Sequence, residues 1–476
     1  MSEVVCKIES KLPASFETGV GHLLVLRGFC FHPAKRTAAL TLIVGKRRYP
    51  VEEYEDFRPD VAVEYAQLDT VGSSLVSGFF ASFEATAEYA GSDPDLALEL
   101  TFADGSTQQV RLGQVQFTAP RARAAELPAA KLAICLATWN PEPEAFRRQV
   151  DTLLAQDFKD WVCIVNDDGS ARLIYRMIRE ICALDSRFHV FRNERNLGFY
   201  RNFETALSRV PPGCEFVALC DQDDAWNPDK LSSCLAAFKP ETQLVYCDMR
   251  IVQESGEVTT ATYWARRRNQ YRNLDVLLTA NTVTGAASVF RAGLLDRALP
   301  FPECVGDCFH DHWIACCALA GGGIEYVDRP LYDYIQHGTN VIGHATFDKL
   351  PTWSRRLARI PKAIAAPWKI LPRLVSQRMV LLHVVNTEYR RVQLIAAALR
   401  LRFAGRPGLL PALAPFLAPD SWGSALALRS LAPRFSRDTT GHAELRMAAG
   451  LAVRRLNRFY ARGRAEKTVA RLREAA

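Results

Sequence analysis

KLAICLATWN at residues 131–140, WVCIVNDDGS at residues 161–170 and EFVALCDQDDAW at residues 215–226 decide the fold. Each is an apolar run that ends in a polar cluster. A short apolar run without alternation suits a strand buried on both faces, the condition of strands in a parallel sheet. A further run, Phe188–Phe191, falls between the second and the third. The four runs start 29, 27 and 27 residues apart, the length of a βα unit. Strands alternating with helical segments at that spacing predict an α/β domain with a parallel sheet. Ligands of such sheets bind at the carboxyl ends of the strands. The polar clusters after each run are therefore the first candidates for function.

Before this domain the pattern differs. Short apolar runs at His22–Gly28, Ala38–Val44, Phe79–Phe83 and Asp95–Ala103 are separated by turn signals. Asp104-Gly105 before Thr107–Leu112 predicts a hairpin connection. A small β-sandwich is the expected packing. Residues 119–130 (APRARAAELPAA) read as a linker. After residue 350 the chain turns helical and basic. Leu357, Ile360 and Ile364 fall at helical spacing among Arg355, Arg356, Arg359 and Lys362. Longer helices are expected around Arg373–Phe403 and His442–Arg473. The expected organisation is a β-sandwich module (1–125), an α/β catalytic domain (126–350) and a basic helical domain (351–476).

The 476 residues are 49% hydrophobic and 23% charged, which excludes a disordered, collagenous or coiled-coil chain. The net charge of +7 is an average of unlike parts. Residues 351–476 hold 24 Lys and Arg against 6 Asp and Glu, whereas residues 1–350 hold 35 against 46. Thirteen scattered cysteines without a C-x-x-C pair read as small buried hydrophobes, and Cys304 and Cys308 as buried thiols rather than metal ligands. The start, MSEVVCKIES, lacks the pattern of a secretory signal, and no apolar stretch is long enough to span a membrane. A reducing, cytoplasmic location is expected.

The clusters at the strand ends carry different weights. Asp167-Asp168-Gly169-Ser170 is a good turn in its own right. Asn227-Pro228 reads as a helix start, with Asn as cap and Pro at the first helical position. Asp221-Gln222-Asp223-Asp224 is harder to explain structurally. Three carboxylates in four residues repel one another unless a cation sits among them. Their hard oxygens suit Mg²⁺ or Mn²⁺.

Taken in order, the motifs resemble the family 2, GT-A fold glycosyltransferases, most closely the bacterial rhamnosyltransferase-like branch. The resemblance covers residues 131–344. It rests on Thr138-Trp139-Asn140, Asp167–Ser170, Asn196-Leu197-Gly198 with Asn202-Phe203, Asp221–Trp226, His310-Asp311-His312-Trp313 and Gln336–Val341. It implies a GT-A, Rossmann-like catalytic domain. It implies that Thr138, Trp139, Asn140, Asp168, Asn196, Gly198 and Asp221 bind the nucleotide, with Asp168 reading the base and Trp139 beside it. It further implies that Asp223 and His337 serve a divalent cation, Mg²⁺ or Mn²⁺, and that Asp311 is the catalytic carboxylate. Ala137 departs from the pattern, since many relatives carry Thr or Ser there.

The implied reaction is inverting, metal-dependent transfer of a sugar from a nucleoside-diphosphate donor to a hydroxyl of a growing surface glycan. The family weights dTDP- or UDP-sugars as donors, rhamnose as the sugar, and a lipid-linked glycan as the acceptor. Glu303 and Asp307 are the nearby alternatives to Asp311 as base. Asp311 is preferred because a carboxylate in the first turn of a helix is favoured by the dipole. His310 and His312 are expected to be solvent-exposed cap residues, and Arg266-Arg267-Arg268 a solvated face. A sugar-nucleotide-forming nucleotidyltransferase is the alternative enzyme, but residues 132–143 lack its Gly-rich basic loop. A non-catalytic glycan-binding scaffold is the alternative outside enzymes. For the basic domain three readings stand: packing on the catalytic domain, attachment to an anionic membrane surface at the inner face of the cell membrane, and nucleic-acid binding. The last is disfavoured, because no recognition motif is present.

Overall fold

The computed structural model describes residues 3–120, 127–128, 130–265, 269–336, 380–417, 422–431 and 437–475. The N-terminal module is two four-stranded sheets. One runs in the order Val5–Ile8, Leu23–Phe31, Gly78–Glu84, Glu53–Asp56. The other runs Arg47–Pro50, Thr37–Val44, Asp95–Phe102, Thr107–Gln114. Alternate residues of facing strands (Leu24, Leu26, Leu40, Leu42, Phe79, Phe83, Leu98, Leu100) fill the space between the sheets. The hairpin turns at Gly105, whose φ of +79° is costly for any residue with a Cβ.

The central sheet begins as the sequence pattern dictates. Phe188–Arg192, Trp161–Asp167, Leu132–Thr138 and Phe216–Cys220 lie side by side and parallel. Leu132–Leu136 and Trp161–Val165 are at most 2% exposed, because helices cover both faces. The expectation of a wholly parallel sheet is corrected beyond Phe216–Cys220. Ser288–Arg291 joins it antiparallel, then Thr242–Gln253, Gly323–Gln336 and the short strand Ala225–Trp226 complete a mixed sheet. The result is the mixed α/β body expected of a GT-A domain.

The C-terminal helices Arg390–Arg402, Leu410–Leu417, Trp422–Leu431 and Ala443–Ala475 do not form a separate body. Val392, Ile395, Leu399, Leu413, Phe416, Leu428, Met447 and Leu451 belong to the same apolar core as the central sheet. Their arginines turn toward the sandwich. Arg390 pairs with Glu53, and Arg454 and Arg458 with Asp56. Arg402 reaches the carbonyls of Ala298 at 3.0 Å and Pro300 at 2.8 Å. No described helix is long and apolar enough to cross a membrane. The basic segment around Leu357–Ile364 and the residues Arg266-Arg267-Arg268 lie outside the described residues.

Candidate active site

The carboxyl ends of the parallel strands converge, and their polar clusters are bonded to one another. Asn202, on the helix Phe199–Ser208, joins with Asn166 and Asn193 in a buried amide network. Asn166 donates to Asn193 Oδ1 at 3.1 Å and to Asn202 Oδ1 at 2.7 Å, and Asn202 donates to the Asn166 carbonyl at 3.0 Å. Buried amides without such partners would each cost about 1–3 kcal/mol, so the network fixes the strand ends relative to the helix.

Asp167 and Asp168 both hold turns. Asp167 accepts from the Ser170 backbone at 3.0 Å and from its hydroxyl, with Arg192 3.4 Å away. Asp168 is 2% exposed. It accepts from Asn193 at 2.8 Å, from the Leu197 N–H at 2.9 Å and from the Gly198 N–H at 2.9 Å. Gly169, next in the chain, has φ +76°, and a Cβ there would meet Asn196 N at 3.2 Å. The 167–170 and 196–198 loops are therefore one structure. Asn196 is exposed and accepts from Gly198 N–H at 3.0 Å. Thr138 is buried, with its hydroxyl 3.4 Å from Asp167. Asn140 donates its N–H to Ser170 at 2.7 Å and accepts from Ala171 N–H at 2.8 Å. Trp139 is 54% exposed, an indole face open to solvent at the rim, and its backbone N–H donates to Gln222 Oε1 at 2.8 Å.

The 221–224 loop follows Phe216–Cys220. Asp221 and Asp223 are half-buried. Burial, with the charges of Asp223 and Asp311, pushes the Asp221 carboxyl up to about 7, against an opposing pull from Lys230. Asp224 is 1% exposed. Burial and the neighbouring Asp221 and Asp223 push its carboxyl well up. Among the described residues no three His, Cys, Asp or Glu side chains converge as a metal cage. Two half-buried carboxylates at a strand end do suit a hard cation whose remaining ligands are waters and phosphate oxygens. His337 lies outside the described residues.

Asp311 stands in the first turn of the helix His310–Gly321. Its carboxylate accepts from Asn281 at 3.0 Å, from the Gly285 N–H at 3.0 Å and from the His312 N–H at 2.6 Å. Burial nonetheless pushes it up to about 6, which these hydrogen bonds only partly oppose. Of the alternatives, Glu303 is exposed and 3.4 Å from Arg201, and Asp307 is exposed. Of the three, Asp311 is the one whose charge raises the Asp221 carboxyl, which places it within electrostatic reach of the 221–224 loop.

Four expectations are corrected. His310 and His312 are buried, not exposed caps. The His310 ring stacks on Phe203 with centroids 3.6 Å apart, and His312 Nε2 is 2.7 Å from the Leu277 carbonyl. Burial holds both imidazoles neutral, at about 3 and about 4. Cys304 is exposed, because it sits on the loop before this helix, while Cys308 is buried as expected. The helix expected to start at Asn227-Pro228 starts at Lys230 with Asp229 as cap. Asn227 instead donates to the Pro330 carbonyl at 3.2 Å, because the strand Ala225–Trp226 must first pair with Tyr332 and Asp333.

The polar strand ends, the acidic loop and the elevated Asp311 carboxylate are the candidate site of this mixed sheet. Residues 133–299 match the family model described as glycosyl transferase family 2, and this part of the chain is a domain of that family. A succinoglycan biosynthesis protein, ExoW, of Rhizobium meliloti (strain 1021) is 35% identical over 107 residues, 21% of this chain and 32% of that protein. A putative glycosyltransferase, EpsH, of Bacillus subtilis (strain 168) is 27% identical over 234 residues, 46% of this chain and 63% of that protein. The chain therefore spans less than two thirds of the length of these curated relatives. Among solved structures, S. aureus TarS 1-349 in complex with UDP-GlcNAc aligns at 17% identity with a TM-score of 0.39, covering 70% of this chain and 92% of that one. The mannosyltransferase PcManGT from Pyrobaculum calidifontis, in complex with GDP-Man and Mn²⁺, aligns at 17% identity with a TM-score of 0.37, covering 70% and 87%.

Proposed function

We propose that the chain transfers a sugar from a nucleoside-diphosphate donor to a hydroxyl of a surface polysaccharide, with inversion at the anomeric carbon. The observation that carries this reading is Asp311: a half-buried carboxylate raised to about 6, held by Asn281 and Gly285 and within electrostatic reach of Asp221. An acceptor hydroxyl placed there gives its proton to Asp311 as its oxygen forms the new bond to C1. The bond from C1 to the leaving phosphate oxygen breaks with its electron pair on the nucleoside diphosphate. Direct attack opposite the leaving group inverts the centre. Asp311 suits the base because its pKa is near the working pH.

Asp168, Trp139 and the 138–140 and 196–198 loops form the nucleotide end of the cleft in this reading. The indole of Trp139 offers a stacking face for the base. A divalent cation held at Asp223, with His337, supplies Lewis-acid stabilisation of the leaving diphosphate when bound. Asp221 would orient the ribose or a water on that cation. A dTDP- or UDP-sugar is the proposed donor, rhamnose the proposed sugar and a lipid-linked glycan at the inner membrane face the proposed acceptor. Calorimetry with UDP and dTDP in the presence of Mn²⁺ tests the donor site. Wild-type protein is expected to bind, and Asp223→Ala to lose at least tenfold in metal-dependent affinity; unchanged binding would remove Asp223 from the metal site.

A further inference from the structure

Asp311 is held from a neighbouring loop. The helix Leu274–Thr279 is capped by Ala280, and the chain then turns through residues 281–284 into Gly285–Ala287 and the sheet strand Ser288–Arg291. Asn281 closes this turn on itself. Its Oδ1 accepts from the Val283 N–H at 3.0 Å, and its Nδ2 donates to the Val283 carbonyl at 2.8 Å. The same amide nitrogen also donates out of the turn, to Asp311 Oδ1 at 3.0 Å. Further along the same loop, the Gly285 N–H donates to Asp311 Oδ2 at 3.0 Å. One loop thus grips both oxygens of the carboxylate, which fixes the plane of the group as well as its place. The grip depends on a close approach: a Cβ on Gly285 would meet His310 Nε2 at 2.8 Å and Asp311 Cβ at 3.4 Å, so a glycine is what fits there.

The two oxygens are not used alike. Oδ1 also accepts from the His312 N–H at 2.6 Å, so it has two donors. Oδ2 has one, the Gly285 N–H. A carboxylate offers about four acceptor positions, so the open one lies on Oδ2. The chemistry of the donor matters too. A Lys or Arg at position 281 would stabilise the ionised carboxylate, and a base so stabilised takes up a proton less readily. An amide orients the group without adding a charge.

We propose that Asn281 is a positioning residue for transfer: it occupies Asp311 Oδ1 while its loop supplies the Gly285 N–H to Oδ2, which turns the open position of Oδ2 toward the acceptor hydroxyl. This rests on the reading of Asp311 as the base. The acceptor proton forms its new bond to Oδ2. The electron pair it leaves stays on the acceptor oxygen, which bonds to C1 as the leaving phosphate oxygen departs with the pair of the broken bond.

The test uses the full chain and the variants Asn281→Ala, Asn281→Asp, Asp311→Asn and each position-281 variant combined with Asp311→Asn. Release of UDP or dTDP from a panel of UDP- and dTDP-sugars with Mn²⁺ gives kcat and donor KM, and melting temperature is measured for each variant. Asn281→Ala is expected to lower kcat by about tenfold or more, since a small misplacement of a reacting group is costly, with donor KM within about threefold of wild type. Added to Asp311→Asn it is expected to cause no further loss, because both remove the same positioned carboxylate. Asn281→Asp is isosteric and supplies a second variant should Asn281→Ala fail to fold. It sets a carboxylate against Asp311 and is expected to lower both kcat and melting temperature. Asp311→Asn added to it restores an amide–carboxylate pair in reverse, and is expected to recover melting temperature but not kcat. A loss in Asn281→Ala smaller than about tenfold, a donor KM that rises with the fall in kcat, losses that multiply with those of Asp311→Asn, or no recovery of melting temperature in the reversed pair would overturn the proposal. Turnover by wild type that is lost in Asp311→Asn and kept in Asn281→Ala would refute the role of Asn281 alone. Turnover kept in Asp311→Asn, or absent from wild type, would refute the reading on which it rests.

Discussion

At the scale of single residues, the site is a set of carboxylates whose environments have been pushed apart. Asp167 and Asp168 each accept several hydrogen bonds and hold turns. Asp221 and Asp311 are raised by burial, to about 7 and about 6. A base at Asp311 must be ionised, so kcat is expected to fall tenfold per pH unit below about 6, measured at saturating donor and metal. The sign follows from burial favouring the neutral acid, and replacement of that limb by one near 4 would mean that another group takes the proton. The acidic and Asn-rich strand ends were legible in the sequence because they interrupt apolar runs. Asn281 and Gly285 were not, since each acts through a fold contact that no local pattern announces: they are 30 and 26 residues from Asp311. Burial of His310 and His312 was hidden for a similar reason, because Phe203 and Leu277 arrive from distant helices.

At the scale of elements, the parallel strands were legible because they are buried on both faces and carry no alternation to confuse their reading. The antiparallel half of the sheet was not. Ser288–Arg291 is four residues long, and Gly323–Gln336 carries polar residues on a half-covered face, so neither stands out as an apolar run. The helix Ala443–Ala475 shows why its own amphipathicity is weak. Its buried residues include Asn457 and the two arginines that meet the sandwich, Arg454 and Arg458, while Leu456 and Phe459 face outward. Burial alone would raise the Asp56 carboxyl, but the charges of Arg454 and Arg458 outweigh it and hold it below the ordinary range. Arg454→Ala is expected to destabilise the protein by about 3 kcal/mol, the low end for breaking a buried pair because Arg458 remains. Urea denaturation at pH 7 measures this, and a loss under 1 kcal/mol would make the contact incidental. Because the pair stabilises only while Asp56 is ionised, the difference between wild type and variant is expected to shrink as pH falls through the carboxylate range.

At the scale of the whole molecule, the basic surplus of the C-terminal region has two destinations. Arg390, Arg402, Arg454, Arg458 and Arg473 turn inward to the sandwich and to the loop at Ala298–Pro300. Packing of the helices on the rest of the chain is thus a fact of the structure. Contact with an anionic membrane surface remains a proposal, now resting on the outward Trp422, Leu426, Leu456 and Phe459 and on the basic sequence at residues 355–378. Apolar side chains that insert between basic ones suit such a surface. The full chain is expected to pellet with vesicles containing anionic lipid and not with neutral ones, and Trp422→Ser with Phe459→Ser to weaken that pelleting; indifference to anionic lipid would leave packing as the sole role of these helices.

The central claim is that one carboxylate, Asp311, takes the acceptor proton in a site built to bind a nucleotide sugar. Its most direct test is metal-supplemented turnover of a panel of UDP-, dTDP- and GDP-sugars by wild type and by Asp311→Asn, with donor binding measured alongside. The account predicts turnover by wild type with at least one uridine or thymidine donor. It predicts a loss in Asp311→Asn of about 10³-fold, within the range for removing a general base, with donor affinity unchanged. Near-normal turnover by Asp311→Asn, or turnover confined to guanosine donors, would contradict it.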